Sequence, residues 1–186
     1  MKSVIMGGSF DPPHLGHVAL AEDAYSKLEC DKFFIVPTKT SPFKINGSIS
    51  DPQHRLNMLN LSFDDKFIVE DCEIRRSGIS YTIDTLKYLI TKYDLDKPYL
   101  LIGDDLIEGF RKWKNYEEIL QISTIVIANR VNKNSFQFEH ILLNNNTINL
   151  SSSFVRDKII KGEDFKDFVS LGVYEYILNN NLYRSC

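Results

Sequence analysis

Cysteine is scarce in this chain, and the three that occur, Cys30, Cys72 and Cys186, stand far apart and in no C-x-x-C spacing. An odd, scattered set builds no disulfide framework and offers no cysteine-based zinc site, so a reducing cytoplasm is the expected compartment. Long apolar runs are missing as well. Residues 1–20 carry no hydrophobic stretch behind a basic start, because Gly, Asp, Pro and His interrupt early, so neither a signal peptide nor a membrane span is expected. No strongly basic stretch occurs either, and the net charge is −3. Duplex nucleic acid needs a Lys/Arg face to neutralise its phosphates, so nucleic acid is not an expected partner. A small anion needs only a local positive pocket and stays open. No internal repeat or linker is visible, and the absence of G-x-x-x-x-G-K-[ST] removes a P-loop.

What remains is a chain of 186 residues, 43% of them hydrophobic, which suits one well-packed domain spanning residues 1–186. Short apolar runs alternate with helix-patterned segments. Lys2–Met6, Lys32–Val36, Phe67–Glu70, Tyr99–Ile102 and Thr124–Ala128 read as strands, and Thr147–Leu150 as a sixth. From Leu15, the residues Val18, Ala21, Ala24, Tyr25 and Leu28 recur at three- and four-residue steps, as on an amphipathic helix. Asp51-Pro52 opens a helix through Leu61, Tyr81–Tyr93 is another, Asn115-x-x-Glu118 has the form of a capping box, and Ser151–Ser153 introduces a C-terminal helical region. The Asn runs at 144–146 and 179–181 read as a loop and a helix end. Continuous apolar strands alternating with helices imply a parallel sheet covered on both faces, a doubly wound α/β fold of five or six strands.

The most informative string is Gly7-Gly8-Ser9-Phe10-Asp11-Pro12-Pro13-His14-Leu15-Gly16-His17, between the first strand and the first helix. Ligands of open α/β sheets bind at such strand ends. Glycines let the main chain approach phosphate oxygens, and the helix start presents free N–H groups and a partial positive charge. His14 and His17, three apart, share a face of the first turn. By residue type alone they also fit a metal pair, which lacks further ligands here, or ordinary capping and core histidines. Near the other end, Leu150-Ser151-Ser152-Ser153-Phe154-Val155-Arg156 sets three hydroxyls at a helix start and an arginine one turn on. Serines there are common caps and Arg156 alone reads as a surface charge.

The first string resembles the G-G-[ST]-F-D-P-x-H-x-G-H signature of the nucleotidyltransferase superfamily that shares its H-x-G-H element with class I aminoacyl-tRNA synthetases. A synthetase is ruled against by length and by the lack of a K-M-S-K-S-like loop. The second string is similar to the superfamily's I-S-S-T-x-x-R motif, with Leu150 for Ile and Ser153 for Thr. The resemblance implies a Rossmann-like sheet in which His14 and His17 contact ATP phosphates and stabilise the transition state. Gly7, Gly8, Ser9, Phe10, Gly16, Ser151, Ser152 and Ser153 would form the ATP site, and Arg156 would hold the departing pyrophosphate.

Three central segments resemble the bacterial nicotinate-nucleotide adenylyltransferases: Ser80-Tyr81-Thr82-Ile83-Asp84-Thr85-Leu86, Leu101-Ile102-Gly103-Asp104-Asp105, and the lone Trp113. Arg55, Met58 and Leu59 of an R-x-x-M-L helix, Arg130 after the fifth strand, and Tyr174, Tyr176 and Ile177 also fit. The resemblance implies that Trp113 stacks on a pyridine ring, that Thr82 and the main chain near Ile83 and Lys114 hold the nicotinate carboxylate, and that Gly103, Asp105 and Arg130 serve ATP. It implies ATP and nicotinate mononucleotide as substrates, with Mg2+ bound mainly through ATP phosphates and no protein metal site. Nicotinamide mononucleotide or phosphopantetheine as acceptor, and a non-catalytic nucleotide sensor, are the other readings. Cytidylyltransferases are disfavoured by the missing R-T-x-G-I-S-T-T element. Family members often carry P-P-H-[KR] where this chain has Ser41-Pro42-Phe43-Lys44, which keeps Lys44 for phosphate but loses a donor at Phe43. Val131 and Leu171 stand where proline is usual.

Overall fold

The computed structural model describes residues 1–42, 50–129, 138–145 and 150–184. Its strands are β1 (Ser3–Gly8), β2 (Lys32–Pro37), β3 (Phe67–Val69), β4 (Tyr99–Gly103), β5 (Thr124–Ala128) and β6 (Ile141–Leu143). All neighbours pair in parallel, in the order β3-β2-β1-β4-β5-β6. The helices among the described residues are α1 (Leu15–Leu28), α2 (Pro52–Asn60), α3 (Cys72–Arg75), α4 (Thr82–Tyr93), α5 (Tyr116–Ile122), α6 (Ser152–Ile160) and α7 (Leu171–Asn179), with 3₁₀ turns at Asp104–Lys112 and Lys166–Phe168. The fold is thus a doubly wound, Rossmann-like α/β sheet. The chain leaves β1 in one direction through β2 and β3, then returns to pair β4 on the other side of β1. That reversal opens a crevice between the carboxyl ends of β1 and β4. Among the described residues no helix is long and apolar enough to cross a membrane.

Strand alternation distributes the core. Val4 and Met6 face one side with Ala21 and Ala24 of α1 and with Leu59 of α2. Ile5, between them, faces the other side with Ile83, Leu86 and Leu89 of α4 and Ile119 of α5. A third cluster of Met58, Val155, Ile159, Val173 and Ile177 packs α2, α6 and α7 together. That packing carries the C-terminal serine–arginine helix back to the start of the chain.

One expectation is corrected, and another falls mostly outside the described residues. The sixth strand among the described residues is Ile141–Leu143; of the expected strand Thr147–Leu150, residues 147–149 lie outside the described residues and Leu150 has no regular structure. As an edge strand it leaves Leu142 60% exposed, so it has neither alternation nor length to announce it. Asn115 does not form a capping box. It is left-handed (φ 52°) without a side-chain cap, and its amide donates to Glu118 at 3.2 Å instead; Asn tolerates that conformation because its short polar side chain bonds locally. The segment after β4 is a nine-residue 3₁₀ helix. Its inward residues Ile107, Phe110 and Trp113 recur every third position, the period of a 3₁₀ and not an α-helix.

Two buried charges fasten the mouth of the crevice. Arg55 of α2 is 0% exposed, and its Nη1 donates to the carbonyls of Ser9 (2.8 Å) and Thr38 (2.6 Å). Those residues follow β1 and β2, so one guanidinium clamps two strand ends. Burial lowers its pKa, and the nearby Asp11 charge opposes that. Glu73 of α3 is 7% exposed and accepts from the Thr85 hydroxyl of α4 at 2.6 Å. The Ser80 and Thr38 hydroxyls lie near the carboxyl group, and its Oε2 has no well-formed hydrogen bond among the described residues. Burial pushes the Glu73 carboxyl above the usual range, and the Thr85 bond pulls the other way.

Arg55→Met removes the donor from two buried carbonyls and is expected to lower stability in urea unfolding by about 2 kcal/mol. Arg55→Lys is expected to lose less, because an ammonium still reaches one of them; an unchanged midpoint for Arg55→Met would overturn the clamp. Glu73 gives a pH signature. Its folded pKa is raised, so its contribution is present below the ordinary 4.5 and is lost as pH rises through the higher folded value. Glu73→Gln should therefore gain melting temperature relative to the parent between about pH 4 and about pH 7. A constant difference across that range would remove the ionisation of Glu73 from the stability balance.

Candidate active site

The loop from β1 into α1 is built around one aromatic ring. Phe10 is left-handed (φ 49°) and 1% exposed, and its ring sits edge-on to His17, with centroids 4.9 Å apart. Gly8 is required by that ring: a Cβ there would meet Phe10 Cζ at 2.9 Å. A Cβ on Gly7 would meet nothing within 4 Å, so Gly7 leaves bare main chain facing open space. The two glycines expected to do one job therefore do two, ring packing at Gly8 and ligand approach at Gly7. Phe10 is a support beneath the site.

His14 is the N-cap of α1 and His17 lies in its first turn. Their rings stack at 3.6 Å and 25°, which places both on one face. Gly16 makes room, since a Cβ there would approach His14 Nδ1 to 3.0 Å. The His14 N–H donates to His17 Nδ1 at 3.2 Å. A ring nitrogen that accepts carries no proton, so neutral His17 holds its proton on Nε2. One hydrogen bond thereby caps the helix and leaves a ring N–H as donor.

The second motif is stitched onto this loop. Ser151 caps α6 by accepting from the Phe154 N–H at 3.1 Å, the ordinary cap role. Ser152 does something else: its hydroxyl donates to the Pro12 carbonyl at 2.9 Å. Arg156 Nη1 donates to the Asp11 carbonyl at 2.6 Å, and its Nη2 donates to Ser153 Oγ at 3.1 Å. Segments about 140 residues apart thus become neighbours on one wall.

Both motifs line a cavity of about 1120 Å³ at the carboxyl ends of β1 and β4, large enough for two nucleotide-sized molecules. Gly7, Gly8, Ser9, Phe10, His14, Gly16, His17, Ser151, Ser152, Ser153 and Arg156 all border it, as do Gly103 and the exposed Asp105. Thr82, Trp113 and Lys114 border the same cavity. Trp113 reaches it from the end of the 3₁₀ helix, its ring 5.1 Å from the buried Phe110. The Lys114 ammonium is engaged, pairing with Asp84 at 3.2 Å and lying 4.5 Å over the Tyr81 ring, which leaves its main chain as the group on offer. The Ile83 side chain belongs to the core at 1% exposure and does not border the cavity. Thr82 and Ile83 are the first two residues of α4, whose N–H groups have no intrahelical acceptor. Ser80 does not cap that helix; its hydroxyl accepts from the N–H groups of Lys39 and Thr40. Lys44 and Arg130 lie outside the described residues.

Sequence reasoning passed over several bordering residues. Asn129 and Asn145 pair reciprocally, the Asn145 amide accepting from the Asn129 N–H at 2.8 Å and donating to its carbonyl at 3.1 Å. An Asn run in a loop gives no hint of that. Glu73 was equally silent, since a lone carboxylate says nothing about burial. Asp11 stood inside the signature string without a role. Among the described residues no group of three or more His, Cys, Asp or Glu is placed to hold a metal ion.

Comparison with known proteins agrees with this geometry. The cytidylyltransferase-like family model matches residues 5–158. A probable nicotinate-nucleotide adenylyltransferase of Borreliella burgdorferi is 36% identical over 187 residues, covering 98% of this chain and 97% of that one. One from Aquifex aeolicus is 46% identical over 129 residues, 68% of this chain and 76% of that one. The Plasmodium falciparum nicotinic acid mononucleotide adenylyltransferase, solved in complex with NaAD, superposes with a TM-score of 0.81 at 25% identity, covering 98% of each chain. Matched end to end at this level, the chain belongs to the cytidylyltransferase-like family, among its nicotinate-nucleotide adenylyltransferases.

Proposed function

We propose that this chain, acting as a single catalytic domain, transfers AMP from ATP to nicotinate mononucleotide, yielding deamido-NAD and pyrophosphate. The observation that carries the reading is the joining of the two motifs on one wall of a cavity that Trp113 and the start of α4 also border. The acceptor's 5′-phosphate attacks the α-phosphorus in line; the new P–O bond forms as the bond to pyrophosphate breaks. A phosphate nucleophile is already ionised and needs no general base, so the rate comes from positioning and charge stabilisation. His17 donates from Nε2, beside His14, to the oxygens that gain charge. Arg156 and the start of α6 receive the β- and γ-phosphates, a task for a forked cation that never deprotonates. Magnesium arrives on the triphosphate as part of the substrate. A cytoplasmic setting suits ATP-dependent work and the free thiols of Cys30 and Cys72.

Acceptor choice follows from donor chemistry. The nicotinate carboxylate accepts with both oxygens, and the Thr82 and Ile83 N–H groups supply donors. A carboxamide must turn its own NH₂ toward a donor. An opposed donor costs about 1–3 kcal/mol, so two predict at least about a hundredfold preference for the acid in kcat/KM.

The reading is tested by pyrophosphate release from ATP with the acid and amide mononucleotides in parallel. Trp113→Ala is expected to weaken both acceptors alike and leave their ratio intact, because stacking reads the ring and not its substituent. Equal use of the two acceptors by the parent protein would sink the nicotinate assignment. His17→Ala should lower kcat by roughly 10²–10³ with little change in KM, the scale of one preorganised donor. A folded His17→Ala protein with near-normal kcat would take His17 out of the mechanism.

A further inference from the structure

Asp11 is only 3% exposed, and a carboxylate that deep requires donors. The Ser50 hydroxyl donates to its Oδ1, and the Ser50 N–H donates to Oδ2 at 3.4 Å. The Tyr183 hydroxyl also donates to Oδ1, at 2.7 Å, from 172 residues away. Placing that ring costs conformational energy. After α7 the chain passes through two left-handed residues that are not glycine, Asn181 (φ 50°) and Tyr183 itself (φ 62°). Burial and the Asp11 charge push the phenol far above its ordinary pKa, so the hydroxyl keeps its proton and stays a donor at every pH of interest.

The other end of Asp11 faces the active site. Its carbonyl accepts Arg156 Nη1 at 2.6 Å, and the next carbonyl, of Pro12, accepts the Ser152 hydroxyl at 2.9 Å. The orientation of the Asp11–Pro12 main chain therefore sets where Arg156 points. A side chain held by Tyr183 and Ser50 prevents that main chain from rotating. Tyr183 itself borders no part of the cavity, and its hydroxyl is joined to the site by hydrogen bonds to Asp11 and to Ser50.

We infer that Tyr183 is a positioning residue for adenylyl transfer: through its hydrogen bond to Asp11 it aims the Arg156 guanidinium at the departing pyrophosphate. The inference rests on the function proposed above. It makes the last turn of the chain part of the catalytic architecture and not merely a fastening of α7.

The experiment is a double-mutant cycle of Tyr183→Phe, which removes only the hydroxyl, with Arg156→Lys, each protein first verified as folded at the assay temperature by its melting curve. Tyr183→Phe should lower kcat about tenfold, the scale of one hydrogen bond to a charged group, and leave KM for the mononucleotide within about twofold. In the Arg156→Lys background the same change should cost less than about twofold, because the group being aimed is already lost. Ser50→Ala, which leaves the C-terminal ring in place, carries the same expectation. Pyrophosphate affinity by calorimetry needs no acceptor: Tyr183→Phe should weaken it several-fold alone and not in the Arg156→Lys background. An unchanged kcat, or an equal loss in both backgrounds, overturns the inference and leaves Tyr183 a structural residue. If the parent protein releases no pyrophosphate with either mononucleotide, the proposed function fails; calorimetry then still decides whether Tyr183 aims Arg156.

Discussion

The site depends on two hydrogen bonds that join the ends of the chain, Arg156 to the Asp11 carbonyl and Ser152 to the Pro12 carbonyl. Without them the glycine turn and the serine helix would be two half-sites on separate elements. With them the stacked His14–His17 pair and the Arg156 guanidinium face the same space. The apolar cluster of α2, α6 and α7 supports this, since packing of Met58, Val155 and Val173 holds α6 in place. Hydrophobic packing supplies the proximity, and the hydrogen bonds supply the direction.

Strand order supplies the space. Because β1 is flanked by β2 and β4, the strand order reverses there and a crevice opens at its carboxyl end. Arg55 spans from the end of β1 to the end of β2, holding the Ser9 and Thr38 carbonyls with a single nitrogen. Glu73 does similar work between helices, linking α3 to Thr85 of α4. Asp11 and Glu73 border the cavity, Arg55 holds Ser9 and Thr38 that also border it, and each is held by main-chain or hydroxyl partners. Burial of this kind is costly, and the return is a rigid frame around a ligand whose two halves must meet in line.

The electrostatics are local. The protein carries a net charge of −3, yet one wall of the cavity gathers two histidine rings, helix starts and one guanidinium. A chain with this charge balance attracts a small polyanion only where such groups converge.

Much was legible in the residues alone. Five of the six strands were readable because buried parallel strands are continuous apolar runs, α1 because its apolar residues recur at helical spacing, and α2 because Asp51-Pro52 marks a helix start. The two site motifs were legible through their resemblance to the nucleotidyltransferase signatures, since by residue type alone the serines read as caps and Arg156 as a surface charge. The edge strand Ile141–Leu143 was not, since a half-exposed strand of three has no pattern. Nor was the period-three 3₁₀ helix that delivers Trp113 to the cavity, nor the left-handed start at Asn115. The amino-acid sequence by itself determined five of the strands, the α/β alternation and the residue types that gather at the cavity. Only the tertiary structure decided that Gly8 serves a ring, that Ile83 turns its side chain to the core, and that Tyr183 reaches Asp11. Local patterns report the periodicity of burial within one element. Contacts between elements depend on packing distances that no single segment encodes.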